Sequence, residues 1–589
     1  MEKKLKMSGR TFRRIWIPIL AVIVIIAMGL NIAANIFADS LDTYLGRGER
    51  KVAENAGLTA EDAAYYEQKY ADTNAENGSV ANGLKVSKRI TDEGEVLMKN
   101  DGTLPLSEGA DVTVFGYRYL SPVYGGTGSG NVDASKDYVT TAEEAMAKYF
   151  NVNSATVDAM NGAAPQELTS DGISNAQADE SGKGFSGATT SIFEYDPSIY
   201  AGTEESCEGT TGVVFIGRTG GEGGNLQQTA YADGTPHELA LSKYEKDTIR
   251  FAKENCENVI AVINSSNVME LGELMSGELE VNGIIWIGGP GATGLDSLAD
   301  IMAGVVNPSG RTADIWDADL TKNPTYVNFG EDRTYTNTAD IDIATNYKGL
   351  YFVEYEEGVY YGYRYYETGS DLGYLDYEDS VVFPFGYGLS YTTFEQRLTS
   401  VEQSDGQITF TVEVENTGDV DGKETVQIYY NPPYTDLDIE NKIEKPTKNL
   451  LAFDKVEVRA GETETVTLTV SEEDMASYSY MHDNGDGTQG CWMLEAGDYG
   501  IILGKNSHEA WAEGTVNIPE TIWYTSDNPR QSEIDAQSAM DEDGNLLDYP
   551  AKAETDPDAE YIAATNQFSE VTEYMNEETV MLSRSDWEG

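Results

Sequence analysis

Four short apolar runs punctuate the chain between residues 84 and 325: VTVF at 112–115, VVFI at 213–216, VIAVI at 259–263 and GIIWI at 283–287. Each is rich in β-branched residues and bounded by Gly, Asn or Asp, the pattern of strands buried on both faces. Helix-compatible segments, LSKYEKDTIRFAKEN at 241–255 and VMELGELM at 268–275, separate the last three runs. Apolar strands alternating with helices predict a mostly parallel sheet covered on both faces, an α/β domain over residues 84–325.

The texture changes near residue 380. ITFTVEVEN at 408–416 alternates with period two, so Ile408, Phe410, Val412 and Val414 share one face. TVTLTV at 465–470 does the same, and turn signals such as Asn416-Thr417-Gly418 break up the region. This predicts an antiparallel β-sandwich over 381–517, so the fold class is α/β plus all-β. Residues 326–380 are then a connecting segment, and 518–589 an acidic tail without clear periodicity.

At the N-terminus the apolar pattern is of another kind. Lys3, Lys4, Lys6, Arg10, Arg13 and Arg14 precede the run IWIPILAVIVIIAMGLNIAANIF at 15–37. That run is long enough to span a hydrocarbon core of ~30 Å, and its basic flank predicts a cytoplasmic N-terminus. It exceeds a usual signal-peptide core and lacks a clean A-x-A cleavage site, so residues 1–38 read as a cytoplasmic tail and uncleaved transmembrane anchor. The polar, helix-prone stretch 39–83 is expected to be a stalk, with the bulk of the chain outside the cell membrane.

Composition narrows the function classes. The chain carries 39 Lys and Arg against 101 Asp and Glu, a formal net charge of −62. Such acidity excludes nucleic acid and anionic lipid as partners of the bulk of the protein. Cys207, Cys256 and Cys491 are too scattered for a disulfide framework or a zinc site. His237, ahead of a helical stretch, reads as a surface or capping residue. No H-E-x-x-H or G-x-S-x-G occurs, and no metal or cofactor is expected.

Other patterns resolve into structure rather than chemistry. Gly289-Pro290-Gly291-Ala292-Thr293-Gly294 matches a dinucleotide fingerprint but falls on the last strand of the domain, so it reads as a packing turn. Asp541-Glu542-Asp543-Gly544-Asn545 resembles a calcium loop, but Leu546 stands where the sharp turn needs glycine, which makes it a solvated turn. The aromatic run YYGYRYYE at 360–367 reads as interdomain packing, with sugar stacking as the alternative.

The candidate chemistry lies in GRTGGEGG at 217–224, directly after an apolar strand. Glycines surround a single carboxylate, Glu222, and leave it unshielded on a loop that can approach another surface closely. A plain surface turn is the alternative reading.

Five stretches occur in one order: GEVLMKNDGTLPL at 94–106, GGTGSG at 125–130, GRTGGEGG, NPSGRT at 307–312 and VFPFGYGLSYTTF at 382–394. Together they resemble glycoside hydrolase family 3, its α/β-sandwich domain followed by a fibronectin type III-like domain. The resemblance implies retaining hydrolysis of β-linked sugars, with an aspartate nucleophile on a (β/α)8 barrel and an acid/base glutamate on the α/β domain. Glu222 occupies the matching position, and Arg218, Gly221 and Gly223 are candidate substrate contacts. This chain has Asn225-Leu226 where relatives often continue with Asp-Arg.

In many members the barrel comes first; a subgroup places it after the β-sandwich, and this chain is similar to that order. About 70 residues follow position 517, whereas a barrel takes ~250. Ser585-Asp586-Trp587 resembles the family's nucleophile context, yet it reads as the lead-in to a barrel that the chain does not reach. The expectation is a membrane-anchored, extracytoplasmic β-glucosidase-type chain that acts on an oligosaccharide or β-glycoside. It would supply the acid/base domain, lack the nucleophile barrel and be inactive alone. The alternative is a non-catalytic surface module that binds a glycan or a partner.

Overall fold

The structure is a computed structural model that describes residues 78–126, 130–175, 191–220, 226–328, 355–485, 487, 489–531, 538–540, 546–548 and 582–587. The apolar run at 15–37, most of the expected stalk and the acidic turn at 541–545 lie outside these residues. Among the described residues no helix is long and apolar enough to cross a membrane.

The first domain opens with α1 (Ser79–Gly94), β1 (Val96–Asn100), β2 (Asp111–Phe115), β3 (Asn151–Val152) and α2 (Ser154–Asn161). It continues with β4 (Thr211–Arg218), α3 (Lys243–Asn255), β5 (Asn258–Ser265), β6 (Gly283–Trp286) and α4 (Gly294–Met302). The six strands form one sheet in the order β1-β6-β5-β4-β2-β3. Only β1 runs antiparallel, against β6; the other pairings are parallel. The predicted apolar runs are its centre: every residue of β4 is buried, as is β5 beyond Asn258. Strands covered on both faces have no polar side to show, which explains why their sequences do not alternate.

Helix α3 forms where expected, because Ser242 caps it and exchanges hydrogen bonds with Glu245 in a capping box. Its buried residues Glu245, Thr248, Ile249 and Ala252 follow helical spacing against the sheet. The second predicted helix, 268–275, shortens to the single turn Gly272–Met275, whose N-terminus has no side-chain cap. Gly272 in the middle of that stretch weakens any longer helix.

The sandwich comprises β7 (Phe394–Ser404), β8 (Gln407–Asn416), β9 (Gly422–Asn431), β10 (Asn449–Val458) and β11 (Thr463–Ser471). Then follow β12 (Ser477–Asp483), β13 (Gln489–Leu494), β14 (Gly497–Gly504), β15 (Ala510–Ile518) and β16 (Ile522–Tyr524). They pair antiparallel as β7-β8-β11, β10-β9-β14-β15 and β12-β13-β16. Ile408, Phe410, Val412 and Val414 are all fully buried, and the first three pair with Val470, Leu468 and Val466.

Two expected boundaries move. Residues 381–391 pack with the first domain: Val381–Phe383 pairs with Trp316–Asp317, Leu389 bridges Leu97, and the Tyr391 hydroxyl donates to the Ile301 carbonyl at 2.8 Å. The sandwich therefore begins at Phe394 and ends beyond 517 with β16. The expected connecting segment also carries a helix, α5 (Tyr363–Asp371), with Tyr366, Glu367 and Thr368 buried. Its aromatics are packing residues: Tyr363 stacks on Phe385 at 4.7 Å and accepts from the Leu450 amide at 2.9 Å.

Candidate active site

Parallel strands end on the same edge, so the loops after β2, β4, β5 and β6 converge beyond their carboxyl ends. Asn264, fully buried near the end of β5, ties this edge together. Its amide donates to the Val123 carbonyl at 2.9 Å and the Gly288 carbonyl at 2.8 Å, and its oxygen accepts from the Val123 amide at 2.7 Å. Trp286 at the end of β6 donates to the Ser265 carbonyl at 2.7 Å. Gly220 lies against Asn267 and Gly126. The loop that carries GRTGGEGG thus leaves the sheet in the middle of this constellation.

Both stems of that loop are pinned by one residue. The Arg218 guanidinium forms a buried pair with Glu245, at 2.5 Å and 2.9 Å. It also donates to the carbonyls of Gly217, Glu238 and Ala240, so all five of its N–H groups are engaged. Gly217 permits the close approach below: a methyl group there would lie 2.5 Å from the Asn264 carbonyl oxygen. Glu245 also accepts from the Ser242 amide at 2.7 Å, which fixes it to the start of α3. Burial pushes the Glu245 carboxyl up, but the Arg218 charge and hydrogen bonds outweigh it and leave the pKa below the usual carboxylate range.

This placement corrects the expected role of Arg218. With 1% of its side chain exposed and every donor engaged, it holds the loop stems rather than meeting a substrate. Gly221, Glu222 and Gly223 lie outside the described residues, which resume at Leu226. His237 is likewise not a surface residue: it is 1% exposed, with Nε2 3.0 Å from Glu270, and braces the returning stem. The Gln227 amide donates to Glu238 at 2.9 Å on that same stem.

A second buried carboxyl lies beside the first pair. Glu194 accepts from the amides of Tyr117 and Tyr195 at 2.9 and 2.7 Å, close to the buried Arg118. Burial, with the nearby Glu245 charge, pushes the Glu194 carboxyl up to about 8. Glu194 is therefore a neutral acid at neutral pH, in contrast to the ionised Glu245. Nothing in the sequence around Glu194 marks it. Glu245 did carry a signal, the Ser242-x-x-Glu245 spacing of a capping box, but its arginine partner lies on another element.

The remaining motifs assemble structure. In the fingerprint-like turn, Gly291 has φ of +66°, and a methyl group on Gly294 would sit 2.4 Å from the Pro290 side chain. The turn is also hydrogen-bonded to Tyr124 and Thr140, so it packs loops together as the sequence reading expected. Asn307 of NPSGRT accepts from the Tyr391 amide at 2.8 Å, and Arg311 pairs with Glu424 of the sandwich at 2.6 Å. Those stretches form the junction between the two domains.

Asp586 belongs to a different neighbourhood. The peptide 582–587 lies against α5 and the sandwich, with Trp587 stacked on Tyr365 at 5.4 Å and on Tyr374 at 6.0 Å. Ser583 and the Arg584 amide donate to Glu444 at 2.8 and 2.9 Å. The peptide is a packed turn rather than the end of a barrel strand. Among the described residues no cluster of His, Cys, Asp and Glu could hold a metal ion.

Comparison with known proteins supplies the remaining frame. The model of the glycosyl hydrolase family 3 C-terminal domain matches residues 95–391, and that of the fibronectin type III-like domain matches 424–507. A β-glucosidase from Ruminococcus albus is 30% identical over 434 residues, 72% of this chain and 40% of that protein. β-Glucosidase A from Butyrivibrio fibrisolvens is 29% identical over 464 residues, 72% of this chain and 49% of the relative. The solved structure of β-glucosidase 3B from Thermotoga neapolitana superposes with a TM-score of 0.59 at 26% identity, over 76% of this chain and 56% of the other. The chain thus spans less than half the length of the two curated relatives.

Proposed function

This chain belongs to glycoside hydrolase family 3, and on that premise we propose that its α/β domain supplies the acid/base half of a retaining, β-glucosidase-type active site. Glu222 is the proton donor, and the attacking carboxylate comes from a barrel outside the domains described above. The observation that carries the reading is the rigid pinning of both stems of GRTGGEGG by Arg218 at the carboxyl edge of the sheet. Retention needs two carboxyl groups only ~5–5.5 Å apart, so an acid from a second domain must reach into the barrel on an extended loop. Glycines on either side of Glu222 give it that reach, and fixed stems limit how far it strays.

The 589-residue chain by itself is inactive in this proposal, because one carboxylate cannot both protonate the leaving group and trap the oxocarbenium-like centre. The apolar run at 15–37 with its basic flank supports a single membrane span with the catalytic domains outside.

The test is Glu222→Gln assayed with a barrel present, encoded in the same polypeptide or taken from a relative. Turnover should fall about 10²–10⁴-fold, most for substrates with poor leaving groups, and azide should restore turnover of an activated aryl glycoside. An unchanged rate on every substrate would overturn the assignment.

A further inference from the structure

Along the chain the three cysteines look scattered, but the fold brings two of them together at the amino edge of the sheet, opposite the GRTGGEGG loop. Cys207 closes a short helical turn, Glu204–Cys207, just before β4, and Cys256 is the C-cap of α3, just before β5. Strands β4 and β5 are neighbours that start in register, Thr211 against Asn258, so the chain delivers both side chains to one place.

Thr210 touches both. Its hydroxyl donates to the Cys207 carbonyl at 2.8 Å and lies 3.7 Å from the Cys256 sulfur, and its carbonyl accepts from the Glu257 amide at 2.9 Å. The two thiols are themselves within interaction range of each other. Gly212 leaves room for them: a methyl group there would come within 3.1 Å of the Cys256 sulfur. Their exposure differs, since Cys207 is fully buried and Cys256 is partly exposed. A solute therefore meets Cys256, and Cys207 is placed to react only with Cys256. The third cysteine, Cys491, lies on β13 of the sandwich.

We infer that Cys207 and Cys256 are an oxidisable pair that closes a disulfide across the amino edge of the sheet. The oxidant is a small-molecule disulfide. The Cys256 thiolate attacks one of its sulfurs and releases the other half as a thiolate. Cys207, once deprotonated, attacks the Cys256 sulfur of the mixed disulfide and expels the second half. Two protein thiols become one bridge, the small disulfide is reduced to two thiols, and these take up the two protons. Burial pushes the Cys256 thiol up to about 12, so the first step is slow at neutral pH. The ring so closed, residues 207–256, contains GRTGGEGG, both its stems and α3. A bridge around that segment restricts the unfolded chain and stabilises the folded one. The pairing does not depend on the catalytic role of Glu222.

The test uses the purified full-length chain, reduced and then incubated with oxidised glutathione at about pH 8.5. After unfolding and alkylation only Cys491 should carry the label, and digestion should release one pair of peptides joined through Cys207 and Cys256. The oxidised chain should melt about 5 °C above the reduced one, and Cys207→Ala should abolish that difference. Three labelled cysteines, a bridge to Cys491, glutathione retained on Cys256 beside a free Cys207, or a melting temperature that oxidation fails to raise would each overturn the inference.

Discussion

The two domains place charge differently. Beneath the carboxyl ends of the α/β strands, Arg118, Glu194, Arg218 and Glu245 are all buried. At the same depth between the sandwich sheets stand Ile408, Phe410, Val412 and Val414, facing Val426, Ile428, Ile501 and Leu503. Buried charge is costly unless it is paired, so its concentration at one sheet edge needs a reason that packing alone does not supply. In the α/β domain the Arg218–Glu245 pair holds loop stems: Arg218 joins the end of β4 to residues 238–240 and to α3. The sandwich buries one ionic cluster of its own, Lys445 between Asp438 and Glu495, but in the connection between β9 and β10, while the space between its sheets is apolar. Its own ionic contacts with the first domain, such as Arg311 with Glu424, lie at the junction.

The sharpest way to break this comparison is Arg218→Met. It leaves Glu245 buried without its cation, and losing one partner of a buried pair costs about 3–5 kcal/mol. Denaturant unfolding should show a loss of that size, and a second change, Glu245→Leu, should recover part of it. A loss below about 1 kcal/mol would mean that water already reaches the pair.

Glu194 gives a smaller effect that depends on pH. Its folded pKa of about 8 lies above the ordinary carboxylate range. In the folded protein it keeps a proton that the unfolded chain has already released at neutral pH. Its contribution is therefore complete in acid and is lost as pH rises towards 8, on the order of a few kcal/mol in all. Glu194→Gln keeps an acceptor for the two amides and carries no charge. The variant should lack this decline between pH 5 and 8 and be more stable than the native chain at the upper end. The same slope in both proteins would remove Glu194 as its source.

The smallest change should come from the sandwich surface. Arg397 and Glu413 pair across β7 and β8 with 75% and 36% of their side chains exposed. Arg397→Gln should leave the unfolding midpoint unchanged within error, because solvent and salt screen an exposed pair. A clear destabilisation there would erase the contrast with the buried ions of the α/β edge.

Much of this arrangement was legible along the chain. The runs at 213–216 and 259–263 became the sheet centre, ITFTVEVEN became β8 with the predicted face inward, and Ser242 began a helix. These features depend on neighbours a few residues apart, through β-branched stiffness, two-residue alternation and capping, and the sequence determines them by itself. Two of the family motifs, NPSGRT and VFPFGYGLSYTTF, fall at the domain junction.

Tertiary structure decided the rest. Arg218 looked like a loop residue awaiting a ligand, yet its partner Glu245 stands on the next helix and reaches it only when β4 and α3 pack. His237 looked exposed because it stands in a turn ahead of a helical stretch; Glu270 and Tyr326 cover it from elsewhere. Residues 381–391 looked like the sandwich but pair with strands some 70 or 290 positions earlier, at Trp316–Asp317 and Leu97. Such contacts are selected by the shape of the closed core, and periodicity within a short window carries no record of which distant element will fill it.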